Sequence, residues 1–211
     1  MLDAERSIHY DRAMAATTVP QRPSEARERL LRTASGLFYT KGIHAVGIDE
    51  ILSRAQVTRA TFYRHFPSKD DLIVQYIRTA DQGIRDAVAT ATAAAKPGAA
   101  DSGVRTLADF VAGQIKTPGF RGCAFLNAAA EYRELEDPIR QAIVTHRSWF
   151  YDTVLDAFSR VTDRAPQAAA HFVMLRDGAM TEGCFVDRDT VTATFLAGVD
   201  GMLATFDYDR S

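Results

Sequence analysis

The feature that most restricts the fold is the run Val57-Thr58-Arg59-Ala60-Thr61-Phe62-Tyr63-Arg64-His65-Phe66-Pro67-Ser68-Lys69-Asp70-Asp71-Leu72. Thr58 is a good N-cap for a short helix, because its hydroxyl can accept from a first-turn amide. Val57, Phe62 and Phe66 then fall on one face. Pro67 closes the helix, since the residue before a proline is biased away from helical backbone. Ser68 opens the next helix, with Asp71 at the reciprocal position of a capping box and Pro67 and Leu72 spaced for a hydrophobic staple. So the run specifies a helix of about two turns with a sharp stop. Its apolar face turns inward and its other face carries Arg59, Tyr63, Arg64 and His65.

The flanking pattern gives that helix a context. Ser24 can cap a helix carrying Leu30, Leu31, Ala34, Leu37 and Phe38, which Gly42 ends. A short second helix follows from Gly47, with Ile48, Ile51, Leu52 and Ala55 on one face. Three short helices, the second and third joined by a tight turn at Gln56, predict a helix-turn-helix. In that arrangement the later helix enters a DNA major groove. Thr58, Ala60 and Thr61 let the backbone approach the bases. Arg59, Tyr63, Arg64 and His65 supply base and phosphate contacts, and Lys69 adds a phosphate contact from the next helix. Charge agrees with this placement. Residues 1–78 hold 12 Lys and Arg against 9 Asp and Glu, while residues 79–211 hold 13 against 18. The front of the chain is the part suited to an anion.

From Ser68 onward the pattern stays helical. A fourth helix carries Leu72, Ile73, Tyr76, Ile77, Ile84 and Val88 until Lys96-Pro97-Gly98. The next runs over Val104, Leu107, Val111 and Ile115 to Pro118-Gly119, and another covers about Cys123 to Glu134. Asp137-Pro138 opens a long helix through Ile139, Ile143, Phe150, Val154 and Phe158. Pro166 opens one to about Phe185. Asp187 or Asp189 caps the last, to about Phe206. No period-2 run resists a helical reading, so the expected fold class is all-α, with about nine helices. With Pro20 and few large apolar residues, residues 1–22 read as a flexible arm. No signal peptide or membrane-spanning run is visible, and two distant cysteines fit neither a disulfide framework nor a zinc site. The expected location is the cytoplasm.

Residues 24–77 resemble the DNA-binding domain of the TetR family of transcriptional regulators. The resemblance rests on Leu37-Phe38, Gly42, Ile48-Asp49-Glu50-Ile51, Ala55 and above all Val57 to Leu72. Arg121-Gly122-Cys123-Ala124-Phe125-Leu126-Asn127-Ala128-Ala129-Ala130-Glu131-Tyr132 is similar to a subgroup of the same regulators. Three positions depart from the family pattern: Gln56 and Ala60 stand where Gly is common, and Gly47 where Thr or Ser is usual. The resemblance implies a DNA-binding domain over 23–68 and an effector-binding and dimerisation domain over 69–211. It also implies a homodimer, generally a repressor, that leaves a near-palindromic DNA operator when a small molecule binds. The DNA-contacting set is then Gly47, Thr58, Arg59, Ala60, Thr61, Tyr63, Arg64, His65 and Lys69.

In the second part Phe110, Phe120, Cys123, Trp149, Phe150 and Met174 can line an apolar ligand pocket, with Asn127, His146 or Asp177 as polar anchors. The same residues could equally fill a core. The last two helices mix small with large apolar residues, and Phe172, Ala179, Met180, Gly183, Phe195, Val199 and Met202 are the expected dimer contacts. Two alternatives stay open: a DNA-binding protein without an effector, and a redox-sensing regulator using Cys123 and Cys184. An enzyme is disfavoured, because no nucleophile–base pair, Gly-rich phosphate loop or metal constellation is visible, and no cofactor is expected.

Overall fold

The structure is a computed structural model that describes residues 24–95 and 98–207. The expected arm over 1–22 and the Lys96-Pro97 break lie outside the described residues. Within them the chain forms nine α-helices and no strand: α1 (Glu25–Lys41), α2 (Ile48–Ala55), α3 (Arg59–His65), α4 (Lys69–Ala94), α5 (Ser102–Lys116), α6 (Ala124–Glu131), α7 (Pro138–Ser159), α8 (Ala165–Glu182) and α9 (Arg188–Asp207).

Helix boundaries follow from capping chemistry. Ser24, Thr58 and Ser68 each accept from the amide three residues on, at Arg27, Thr61 and Asp71. Asp137 accepts from Ile139 ahead of the Pro138 start of α7. Asp187 accepts from the Thr190 amide and so caps α9. Two helices are shorter than expected. α6 begins after Cys123, which is its extended N-cap residue, and stops at Glu131 rather than near Glu134. α8 ends at Glu182 and Gly183 rather than at Phe185, which is 80% exposed.

α1, α2 and α3 pack around Leu30, Ala34, Leu37, Phe38, Ile51, Leu52, Phe62 and Phe66, all buried. α4 is 26 residues long, about 39 Å at 1.5 Å per residue. It touches α1 at one end and α5, α6 and α7 beyond, so one rod borders both the short helices and the larger bundle. In that bundle α7 packs on α8, and α9 lies against α5 and α8. Phe158, Phe172, Phe195 and Phe206 form an edge-to-face aromatic chain through its centre. No helix among the described residues is long and apolar enough to cross a membrane.

His146 belongs to this core. It is 3% exposed, stacks on Phe125 at 3.5 Å between ring centroids, and its Nδ1 lies 2.7 Å from Asp81 of α4. Burial is the largest influence on its pKa and pushes it below the usual imidazole value. Asp81 opposes this, and Arg176 and Arg85 reinforce it. The unfolded state therefore binds the proton more readily than the folded one. The stabilising contribution is present above the unfolded value and is lost as pH falls from about 6.5 through the lower folded value. Thermal melting of the wild type should drop between about pH 7.5 and 5, and His146→Gln should flatten that dependence. Equal slopes would contradict it.

Gln56 is the one non-glycine residue with positive φ among the described residues, at φ 53° and ψ 49°. It occupies the left-handed C-cap of α2, the turn that aims α3. Gln56→Gly should raise urea-unfolding stability by about 0.5–1 kcal/mol, because left-handed backbone strains an L-residue. An unchanged or lower midpoint would contradict the strain.

Candidate nucleic-acid interface and cavity

The outward face of α3 is built by what the inward face must bury. Phe62 is fully buried and Phe66 is 2% exposed, so both are taken up by the core. A helix of 3.6 residues per turn then turns Arg59, Ala60, Tyr63 and Arg64 away from it. All four are exposed, and Tyr63 is 45% exposed despite its size. Its ring sits edge-on to Phe62 at 5.1 Å, which holds the phenol at the rim of the core. Thr58 and Gly47 are exposed beside this face, and Thr61 is half-buried.

Several of the expected DNA-contacting side chains are held by the protein. The Thr58 hydroxyl donates to Thr61 Oγ1 at 3.0 Å. Arg59 is paired with Asp49 of α2. His65 Nε2 lies 3.0 Å from Ser24 Oγ, tying α3 to the start of α1. Lys69, half-buried, donates to the Ile43 carbonyl at 2.9 Å and lies 5.9 Å above the Phe38 ring. Arg64 has no ion-pair partner among the described residues, while Lys41 and Arg54 are both committed to Glu50. The cation most available to a polyanion on α3 is therefore Arg64.

Behind the helix-turn-helix, a cavity of about 260 Å³ lies between α1, α4, α5, α7, α8 and the loop ahead of α6. Of the expected pocket residues, Phe110, Phe120, Cys123 and Phe150 line it. The others sit elsewhere. Asn127 donates to the Arg121 carbonyl at 3.0 Å and shapes the loop. His146 is in the core, and Trp149 lies under the Arg85 guanidinium at 4.4 Å. Asp177 joins Arg147 to Arg176. Met174 is 72% exposed on the outer face of α8. Met180, expected at a dimer contact, lines the cavity instead.

Sequence reasoning missed Tyr39 and Arg176, which also line the cavity. Arg176 was legible: it is four residues from both Phe172 and Met180, on the buried stripe of α8. The side chain is 6% exposed. Its Nη1 donates to Asp177 Oδ1 at 2.8 Å and its Nη2 to the Cys123 sulfur at 3.3 Å. Burial opposes the charge, but the Cys123 sulfur and the Asp177 carboxylate outweigh it and hold the guanidinium protonated.

Two contacts connect the cavity to the helix-turn-helix. The Tyr39 hydroxyl, near the end of α1, donates to the Gly122 carbonyl at 3.0 Å and accepts from the Arg121 amide at 2.9 Å. Burial pushes its phenol up, partly offset by the Arg121 amide, so it remains a neutral donor. Glu131, at the end of α6, accepts from the Ile43 amide at 2.9 Å and the His44 amide at 2.6 Å. Gly42 makes this fit possible. Its φ is 89°, and a Cβ there would meet the Glu131 Oε1 at 3.3 Å.

The comparisons with known proteins agree with this geometry. The family model for bacterial regulatory proteins of the tetR family matches residues 30–76, which span α1 to the start of α4. The crystal structure of SCO4454, a TetR-family transcriptional regulator from Streptomyces coelicolor, superposes with a TM-score of 0.83 at 52% identity, covering 86% of this chain and 96% of that one. Among curated proteins, the HTH-type transcriptional activator FasR of Mycolicibacterium smegmatis is 39% identical over 72 residues, 32% of this chain. The HTH-type transcriptional repressor KstR2 of the same species is 29% identical over 63 residues, 30% of this chain. The matched segments span only 33% and 31% of those two proteins. With the likeness to SCO4454 running nearly end to end, the chain belongs to the TetR family of transcriptional regulators.

Proposed function

We propose that the chain acts in the cytoplasm as a homodimer that binds a near-palindromic DNA operator through two copies of α3 and is released by a small molecule in the cavity. The observation that carries this reading is the division of α3: Phe62 and Phe66 are buried while Thr58, Ala60, Tyr63 and Arg64 face outward. One such helix makes a small contact, and specificity comes from placing two copies one helical turn apart, about 34–36 Å.

The α8–α9 hairpin supports dimerisation, but through a different set of side chains from those expected. Phe172, Ala179, Met180, Gly183, Phe195 and Val199 are buried within the single chain, and Met202 is half-buried. They back the hairpin from inside. The outer face exposes Met174 and Gly178 of α8 and Ala197, Gly201 and Ala204 of α9. Small residues there allow the helices of a second copy to approach closely, as a two-fold four-helix contact needs.

Release follows from the two links between cavity and turn. A ligand that displaces Phe120, Gly122 or Cys123 moves the partners of Tyr39 and the start of α6. Glu131 carries that movement to the α1–α2 turn, and α4 carries it along its length. The ligand must favour the spread dimer over the DNA-bound one, or it shifts nothing. Whether transcription falls or rises depends on where the operator lies. The curated relatives include both an activator and a repressor.

The test is a gel shift on the DNA upstream of the protein's own gene, with sedimentation to count protomers. Two protomers per operator are expected. Arg64→Ala should cost about 1–3 kcal/mol and relax base preference at one position in each half-site. An unchanged sequence preference would remove Arg64 from base readout, and a chain that ignores DNA at low salt would overturn the whole reading.

A further inference from the structure

Resting on the cavity being the effector site, we infer that its ligand is a small arylcarboxylate-like monoanion: an apolar, ring-sized body whose carboxylate is taken by Arg176. The body of the cavity is apolar. Phe110, Phe120, Phe150, Ile84, Val111 and Met180 are its large apolar wall residues. At about 260 Å³ it has room for one ring with a short substituent.

Charge enters this apolar wall at one place. Arg176 is 6% exposed, and its Nε–H has no hydrogen-bond partner among the described residues. Its Nη1 reaches Asp177 at 2.8 Å and its Nη2 the Cys123 sulfur at 3.3 Å. Asp177 does not neutralise it alone. The same carboxylate also accepts from Arg147 at 3.2 and 2.6 Å. Two guanidinium groups therefore share one carboxylate, which leaves one positive charge in excess. A guanidinium carries five N–H donors, of which Asp177 and Cys123 take two, so a ligand oxygen against the Arg176 part of the wall gains a charge-assisted hydrogen bond.

The other polar groups argue for a monoanion. Tyr39 has already spent its hydroxyl on Gly122 and Arg121, so it has no second proton to give. Gln114 and Thr117 are the remaining neutral polar side chains in the wall. A dianionic phosphate would bring two negative charges beside the Asp177 carboxylate, whereas a monoanion matches the single positive charge in excess. A cationic ligand would face the excess positive charge directly.

The full-length protein should be titrated calorimetrically with benzoate, phenylacetate, benzamide and benzylamine, and melted with each. At least one of the two carboxylates should bind about tenfold or more tighter than benzamide and raise the melting temperature, with benzylamine weakest. Arg176→Lys keeps the charge and removes the planar guanidinium, and it should lose most of that preference, as should Arg176→Gln. If neither variant folds, the carboxylate-to-amide ratio on the wild type decides alone. Benzamide binding as tightly as both carboxylates, or neither carboxylate binding at low-millimolar concentration, overturns the inference. Operator binding is measured separately. A neutral compound that releases DNA would keep the proposed function and sink this ligand class. Arg176-dependent carboxylate binding that left DNA affinity unchanged would do the reverse.

Discussion

One carboxylate joins the two halves of this molecule. Glu131 ends α6 and accepts from two consecutive main-chain amides, Ile43 and His44, in the turn between α1 and α2. Each is a hydrogen bond to a charged acceptor, a type worth about 1.5–3 kcal/mol. The arrangement needs Gly42, where a side chain would strain the backbone and press on the same oxygen. Through this contact the position of α2, and hence of α3, depends on where α6 ends. Tyr39 repeats the logic a short distance away by holding both an amide and a carbonyl of the loop that opens α6.

The larger bundle contains two charged groupings rather than an unbroken apolar interior. Asp81 of α4 takes His146 of α7 and Arg85, and Asp177 of α8 takes Arg147 of α7 and Arg176. Both cross helix boundaries, so they fix how α4, α7 and α8 slide along one another. Apolar packing tolerates such sliding better than paired charges do, because separating a buried pair leaves an uncompensated charge. This register matters because α4 also borders α1. Arg176 serves both as a member of one grouping and as cavity wall. Whatever occupies the cavity therefore touches a group that also sets helix register.

Much of this was legible in the sequence because local rules and global fold agree along the first third of the chain. Thr58, Phe62, Phe66, Pro67 and Ser68 each have a single sensible role, and together they leave Tyr63 and Arg64 outside. Gln56 stands where the family pattern commonly has Gly, and the structure shows the reason: the turn puts it in left-handed backbone. The second part was less legible for a physical reason. Helices α8 and α9 are apolar or small on several faces, so periodicity names candidates without saying which face meets a partner. Phe172 and Phe195 were expected at a subunit contact and lie in the core, while Met174 was expected in the pocket and lies on the outside. His146 drew attention as a polar residue among aromatics, yet Asp81, distant in sequence, accounts for it. Arg176 was passed over because a lone arginine reads as surface, although its spacing from Phe172 and Met180 marked it as buried.

Site-resolved amide hydrogen exchange addresses the connection between the cavity loop and the α1–α2 turn directly. Exchange at Ile43 and His44 should be followed in the operator complex before and after adding a compound that releases the DNA. Protection at these two amides should fall together with release, since Glu131 can hold them only while α6 keeps its place. A compound that frees the operator while leaving both amides as protected as before would show that the signal travels by another route.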